Sequence, residues 1–151
     1  MKIKIKLYDK KYFLKYIYNL LNFKTLKSMG IFNKRFVNNF FKNIFLRKKD
    51  KKESYLFMIL SDGKIVGGLD LTQLSGRNFN VGAFIFKEYR NQGIAEKAIR
   101  KLFVFAKKKK VKKISGINDL NNLASIKLVI KLGYKKIKEE KGEIFWEKIL
   151  K

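Results

Sequence analysis

The sequence contains no cysteine, no histidine and no proline. Without cysteine there is no disulfide, no thiolate nucleophile and no zinc–thiolate centre. Without histidine there is no imidazole base and no Ser-His-Asp triad, and the side chain best suited to proton transfer near neutral pH is missing. Acids are scarce too: 12 Asp and Glu stand against 37 Lys and Arg, a formal charge of +25. No run approaches the ~18–20 apolar residues of a membrane span. Lysines interrupt the opening stretch MKIKIKLYDKKYFLKYIYNLLNF, where a targeting signal would need a continuous apolar segment. The expectation is a reduced, cytoplasmic protein without a metal site.

What is present is a globular composition. Hydrophobic residues make up 46% of the 151 positions and aromatics 15%, enough for one domain, 1–151, with a substantial core. The positive surplus admits two accounts. A field of this sign attracts nucleic acid, anionic membranes and phosphorylated ligands. Yet the surplus is almost all lysine, and it accompanies abundant Ile, Asn, Phe and Tyr, the set that A/T-rich codons enrich together. Compositional drift on solvated faces therefore explains the charge equally well.

Along the chain, KIKIKL (2–7) alternates as a half-buried strand does. Residues 10–21 and 27–45 carry helical stripes, the first through Phe13, Leu14, Ile17, Leu20 and Leu21. RKKDKKES (47–54) reads as a solvated loop. SYLFMIL (54–60) and KIVGGLDL (64–71) flank Asp62-Gly63 and predict a hairpin. TQLSGRN (72–78) reads as a polar turn, FNVGAFIF (79–86) as a strand, and 92–108 as a helix with Ala95, Ala98, Ile99, Leu102, Phe103 and Ala106 on its apolar stripe. KKISGI (112–117) is a short strand. NLASIKLVIKLG (122–133) is a helix ended by Gly133, and YKKIKEE and EIFWEKIL are two closing strands. The order β-α-α-β-β-β-α-β-α-β-β predicts an α/β (α+β) domain. Its mixed, mostly antiparallel sheet has six or seven strands with helices on both faces, and includes one parallel crossover.

The chemistry concentrates at Arg90-Asn91-Gln92-Gly93-Ile94-Ala95, between a strand and a helix. Gly93 clears a side chain where a ligand oxygen would meet backbone. The emerging helix directs N–H groups and a favourable dipole at an anion. Arg90 adds a guanidinium suited to phosphate. An ordinary strand-to-helix turn would look the same. Neither G-x-x-x-x-G-K-(S/T) nor G-x-G-x-x-G occurs, which argues against nucleotide hydrolysis and hydride transfer.

Arg90 to Ala95 resembles the acetyl-CoA pyrophosphate loop of the GNAT N-acetyltransferases, (R/Q)-x-x-G-x-(G/A). The run VGAFIFKEYRNQGIAEKAI is similar to that family's whole strand–loop–helix. Asn122 to Lys127, with Lys131-Leu132-Gly133-Tyr134, resembles its N-x-x-S…K-x-G-(F/Y) helix and turn, at the family's separation. The likeness covers about residues 54–148 and is nearest the branch that contains ribosomal-protein N-terminal acetyltransferases.

The resemblance implies a GNAT fold and transfer of an acetyl group from acetyl-CoA, the cosubstrate, to a primary amine of a peptide N-terminus or a small molecule. Main-chain atoms of Ala83, Phe84 and Ile85 would hold the pantetheine arm. Arg90 and the N–H groups of Asn91, Gln92, Gly93, Ile94, Ala95 and Glu96 would hold the pyrophosphate. Asn122 would contact the arm and Ser125 support it, although Asn122 reads equally as a helix N-cap. The sequence departs from many relatives where acid–base groups often lie: Asn80 stands for a frequent glutamate and Val129 for a tyrosine. Lys87 replaces a common proline. No catalytic residue is therefore assigned, and Asp70 and Tyr134 are candidates by type alone.

Two other readings remain open at this point. One is a basic module that associates with RNA or the ribosome, suggested by an N-terminal third in which Asp9 and Asp50 are the only acids before Glu53. The other is a GNAT domain that binds coenzyme A without turnover.

Overall fold

The computed structural model describes residues 1–8 and 53–151. The helical stripes at 10–21 and 27–45, and most of the charge run at 47–54, lie outside the described residues.

The lysine–isoleucine alternation forms β1 (Ile3–Leu7), antiparallel to β2 (Ser54–Ser61), with Ile3 opposite Ser61 and Leu7 opposite Phe57. Asp62 and Gly63 then reverse the chain with φ of 47° and 85°, the left-handed pair that an Asp-Gly hairpin turn requires. β3 (Lys64–Ser75) continues through Thr72-Gln73-Leu74-Ser75, which the sequence suggested was a turn. The extension is held from outside the strand. The Gln73 N–H donates to Glu53 O at 2.8 Å, and its side-chain oxygen accepts the Glu53 N–H at 3.0 Å. The reversal is thereby delayed to Gly76-Arg77, and β4 (Asn78–Ile85) returns antiparallel to β3.

α1 (Ile94–Lys108) leads to β5 (Lys113–Asp119), and α2 (Leu123–Lys131) to a hairpin of β6 (Lys135–Glu140) and β7 (Glu143–Ile149). Lys141 and Gly142, at φ 53° and 80°, form that hairpin's turn. The seven-stranded sheet has the order β1-β2-β3-β4-β5-β7-β6. β4 and β5 are parallel neighbours and the other pairs are antiparallel. The β4–α1–β5 crossover puts α1 on one face, and α2 packs on the same core cluster and is joined to α1 by the Lys131–Glu96 pair. On this face α1 buries Ile94, Ala98, Ile99, Leu102, Phe103 and Ala106 against Phe57, Ile59, Leu69, Leu71, Ile85 and Ile114. Ala95 is only half-buried, and Ile94 takes the first core position instead. A second cluster, Leu56, Met58, Phe84 and Phe86, lies on the other face. The helices expected there fall outside the described residues. Among those described, no helix is long and apolar enough to cross a membrane.

Gly67 is needed for packing, not for its φ. A Cβ there would collide with the backbone carbonyl of Phe84 on β4, and a backbone atom cannot rotate away. Gly67→Ala should therefore destabilise the fold by about 1–3 kcal/mol in urea unfolding, whereas an unchanged midpoint would contradict this contact.

Candidate active site

β4 and β5 pair over only three positions, Asn78–Asn80 with Lys113–Ser115. Each then follows its outer neighbour. β4 stays with β3 as far as Ile85 opposite Gly67, and β5 stays with β7 as far as Asp119 opposite Glu143. The two strands part beyond Asn80 and Ser115, leaving a wedge between Val81–Ile85 and Gly116–Asp119. Exposure marks the opening. Ala83 is exposed although its strand is interior to the sheet, and Ile117 is 47% exposed on the opposite wall.

The loop after β4 is built back onto the wedge. Lys87–Tyr89 form a short 3-10 turn, the Arg90 N–H donates to Lys87 O at 3.2 Å, and the Arg90 Nε donates to Ile85 O at 3.1 Å. Arg90 thus fixes the loop to the end of β4. Gln92 folds back in the same way, its Nε2 donating to Glu88 O at 3.3 Å. Asn91 and Gly93 both take left-handed backbone, φ 60° and 70°. Gly93 precedes the first turn of α1, no side chain caps that end, and a Cβ at Gly93 would meet nothing within 4 Å. The glycine answers a backbone requirement and leaves open space above the helix start. The first helical bond there is Lys97 N–H to Gly93 O at 3.2 Å, so the N–H groups of Ile94, Ala95 and Glu96 have no helical acceptor. The Ile94 side chain belongs to the core. The Glu96 carboxylate turns away to Lys131 at 2.7 Å and Arg100 at 3.0 Å, and these cations hold it below the usual range. What remains at the loop is N–H groups, a helix dipole and open space, which together suit an anion.

Asn122 caps α2, its Oδ1 accepting the Ser125 N–H at 3.2 Å. The Ser125 hydroxyl accepts from Asn118 Nδ2 at 2.6 Å. Asn118, on β5, couples α2 to that strand; the strand expected from the sequence ended at Ile117 and left Asn118 out. The two residues singled out by type separate clearly. Tyr134 is buried beside Phe103 on the helical face, ring centroids 6.1 Å apart, and burial pushes its phenol up. That makes it a core residue. Asp70 points to the other face, directly over Gly82, where a Cβ would collide with its Oδ1. Its Oδ2 accepts from the Thr72 hydroxyl at 3.4 Å, which in turn lies 3.3 Å from the Ser54 hydroxyl. Burial pushes the Asp70 carboxyl up to about 6, opposed by the Thr72 hydroxyl and the Gly82 N–H. Asn80 lies where β4 and β5 part, and Val129 packs on the core. Among the described residues no group of acids could hold a metal.

Residues 17–135 match the family model described as the acetyltransferase (GNAT) domain. Solved structures share the fold. A PaiA N-acetyltransferase from Thermoplasma acidophilum, solved with coenzyme A, is 14% identical, with TM-score 0.76 and coverage of 99% of each chain. A GNAT-family acetyltransferase from Staphylococcus aureus Mu50 is 20% identical, with TM-score 0.74 and coverage of 99% of this chain and 100% of that one. A ribosomal-protein-alanine N-acetyltransferase from Brucella melitensis is 17% identical, with TM-score 0.74 and coverage of 97% and 99%. No match was found among curated protein sequences.

Asp70 also gives stability a pH dependence. Between about 4 and about 6 the folded protein keeps a proton on Asp70 that the unfolded chain has lost. The Asp70 contribution should therefore fall as pH rises through this window and stay level above it, a change on the order of 2 kcal/mol. Urea unfolding at pH 4.5 and 7 should show this difference in the wild type, less by that amount in Asp70→Asn; equal changes in both proteins would contradict it.

Proposed function

The chain belongs to the GNAT acetyltransferase family, and we propose that it transfers the acetyl group of acetyl-CoA to a primary α-amine by direct attack on the thioester. The observation that carries this reading is the wedge: strands that pair over three residues and then part, beside a helix start with no cap. An arm bearing amide groups can pair with the open edge of β4, through main-chain atoms of Ala83, Phe84 and Ile85. From Ile85 back to Val81 that edge spans roughly 13 Å. A pyrophosphate at the mouth would meet the N–H groups from Asn91 to Glu96, with Arg90 holding the loop in place. Asn122, its Oδ1 committed to the cap, would offer its remaining amide N–H to the arm, and Ser125 would steady it through Asn118. The coenzyme A bound by the Thermoplasma relative supports this assignment. A net charge of +25 would also draw the polyanionic cosubstrate inward.

The enzyme's contribution would be proximity, an oxyanion contact from a backbone N–H and removal of one proton. The acceptor follows from the last of these. An α-amine titrates near ~7.7–8.0 and a lysine side chain near ~10.4, so near neutral pH roughly a tenth of the former but under a thousandth of the latter is neutral. A site without histidine favours the amine that needs less help. The name of the Brucella relative, a ribosomal-protein-alanine N-acetyltransferase, points the same way.

Acetyl-CoA at 100 times its dissociation constant should add ~2.7 kcal/mol, raising the melting temperature by roughly 5–10 °C. Gly93→Glu should abolish the shift by placing a carboxylate in the anion site; normal stabilisation of that variant would refute the loop assignment. In thiol-release assays, peptides with free N-termini should turn over faster than N-blocked peptides bearing lysine. Equal rates, or faster lysine acetylation, would reject the α-amine preference.

A further inference from the structure

Among the described residues Asp70 is a half-buried acid on an interior strand of the sheet, and burial raises its carboxyl. Among the described residues no lysine or arginine forms an ion pair with it. Burial of a carboxylate without a countercharge is unfavourable and calls for an explanation. A purely structural reason is weak here, because a side chain at Gly82 would have to displace the Asp70 carboxylate.

The place of Asp70 beside the wedge, over β4, supplies the explanation. An arm that enters beside the Asn91–Glu96 loop and follows β4 from Ile85 toward Asn80 ends where β4 and β5 close, next to Gly82. On the helical face that point is bordered by Leu69, Leu71, Ile85, Ile114 and α1. An amine that reaches this point from the other face meets the Asp70 carboxylate, which lies over Gly82. We propose that Asp70 takes the proton from the bound ammonium group of the acceptor. This assignment rests on the reading of the wedge as the acetyl-CoA site.

Electrons and protons balance as follows. The ammonium gives one proton to the Asp70 carboxylate. The freed nitrogen pair forms a bond to the thioester carbon, and the oxyanion collapses to break the carbon–sulfur bond. The second nitrogen proton passes to the departing thiolate, leaving an amide and a free thiol. Asp70 then releases its proton, for which the Thr72 and Ser54 hydroxyls provide a hydrogen-bonded path toward the exposed Glu53 end of β2. A carboxyl raised to about 6 is ionised at neutral pH yet basic enough to accept a proton from an α-amine. Among the described residues, the neighbours facing Asp70 on β2 and β4 are Ser54, Leu56, Met58, Asn80, Gly82 and Phe84, none of them charged. Tyr8 and Tyr89 are titratable groups packed on the same face.

The test measures thiol release from acetyl-CoA with glycinamide, a small α-amine, in the full chain at pH 6.5 and 8.5. Asp70→Asn should lower kcat/KM by about 100-fold at pH 6.5. The deficit should shrink by pH 8.5, where the amine has lost its own proton without help. A merely structural role would give the same deficit at both values. A pH-independent deficit, no deficit, or no acceleration of glycinamide by the wild type would overturn the proposal. Thr72→Val supplies a second readout, because loss of the hydroxyl donor should move the rise of kcat/KM to higher pH; an unmoved rise also counts against Asp70. Stabilisation of wild type and Asp70→Asn by acetyl-CoA is read separately. If both are stabilised and the kinetics fail, Asp70 is wrong and the cofactor site stands; if neither is stabilised, the cofactor reading itself fails.

Discussion

The divergence of β4 from β5 after three paired positions is the constraint on which the rest of the site depends. A parallel pair in the middle of a sheet ordinarily satisfies its main-chain groups along its length. Here each strand keeps its outer partner and gives up the inner one. The close approach of β3 to β4 at Gly67 and Gly82 secures one wall, and the β5–β7 ladder secures the other. α1 closes the gap on one face and begins at its mouth. The same crossover that makes the strands parallel thus brings a helix start with unfilled N–H groups beside an open strand edge.

Much of this was legible in the sequence because local chemistry and global fold agree. Asp62-Gly63 marks a hairpin whatever surrounds it, Gly133 takes the left-handed conformation expected after α2 at φ 78°, and the α1 stripe buries the expected residues from Ala98 onward. The extension of β3 through Thr72-Gln73 was hidden because polar residues there read as a turn, and the contacts that overrule this come from Glu53, about twenty residues away. The loop motif was visible as a pattern, but its geometry was not. Only the structure shows that Arg90 is tied to Ile85 and that Glu96 is tied to Lys131. Asn118 and the setting of Asp70 escaped the sequence for a common reason. Each depends on a packing partner, Ser125 of α2 for Asn118 and Gly82 of β4 for Asp70, and one chain read alone reveals neither contact.

The composition also gains a physical meaning. A protein without histidine or cysteine has few ways to move a proton at neutral pH. It can choose an acceptor that is already partly neutral, or raise a carboxyl by burial. The proposed preference for α-amines and the proposed role of Asp70 would be complementary answers to that shortage. The lysine surplus would act at longer range, on the approach of an anionic cosubstrate.

The central claim is that the cosubstrate arm lies along the free edge of β4. Amide hydrogen exchange, followed residue by residue with and without acetyl-CoA, tests it most directly. The account predicts new protection concentrated at Val81–Ile85 and at Asn91–Glu96, with little change in the β6–β7 hairpin. Protection of the loop without β4, or protection confined to other parts of the sheet, would contradict it.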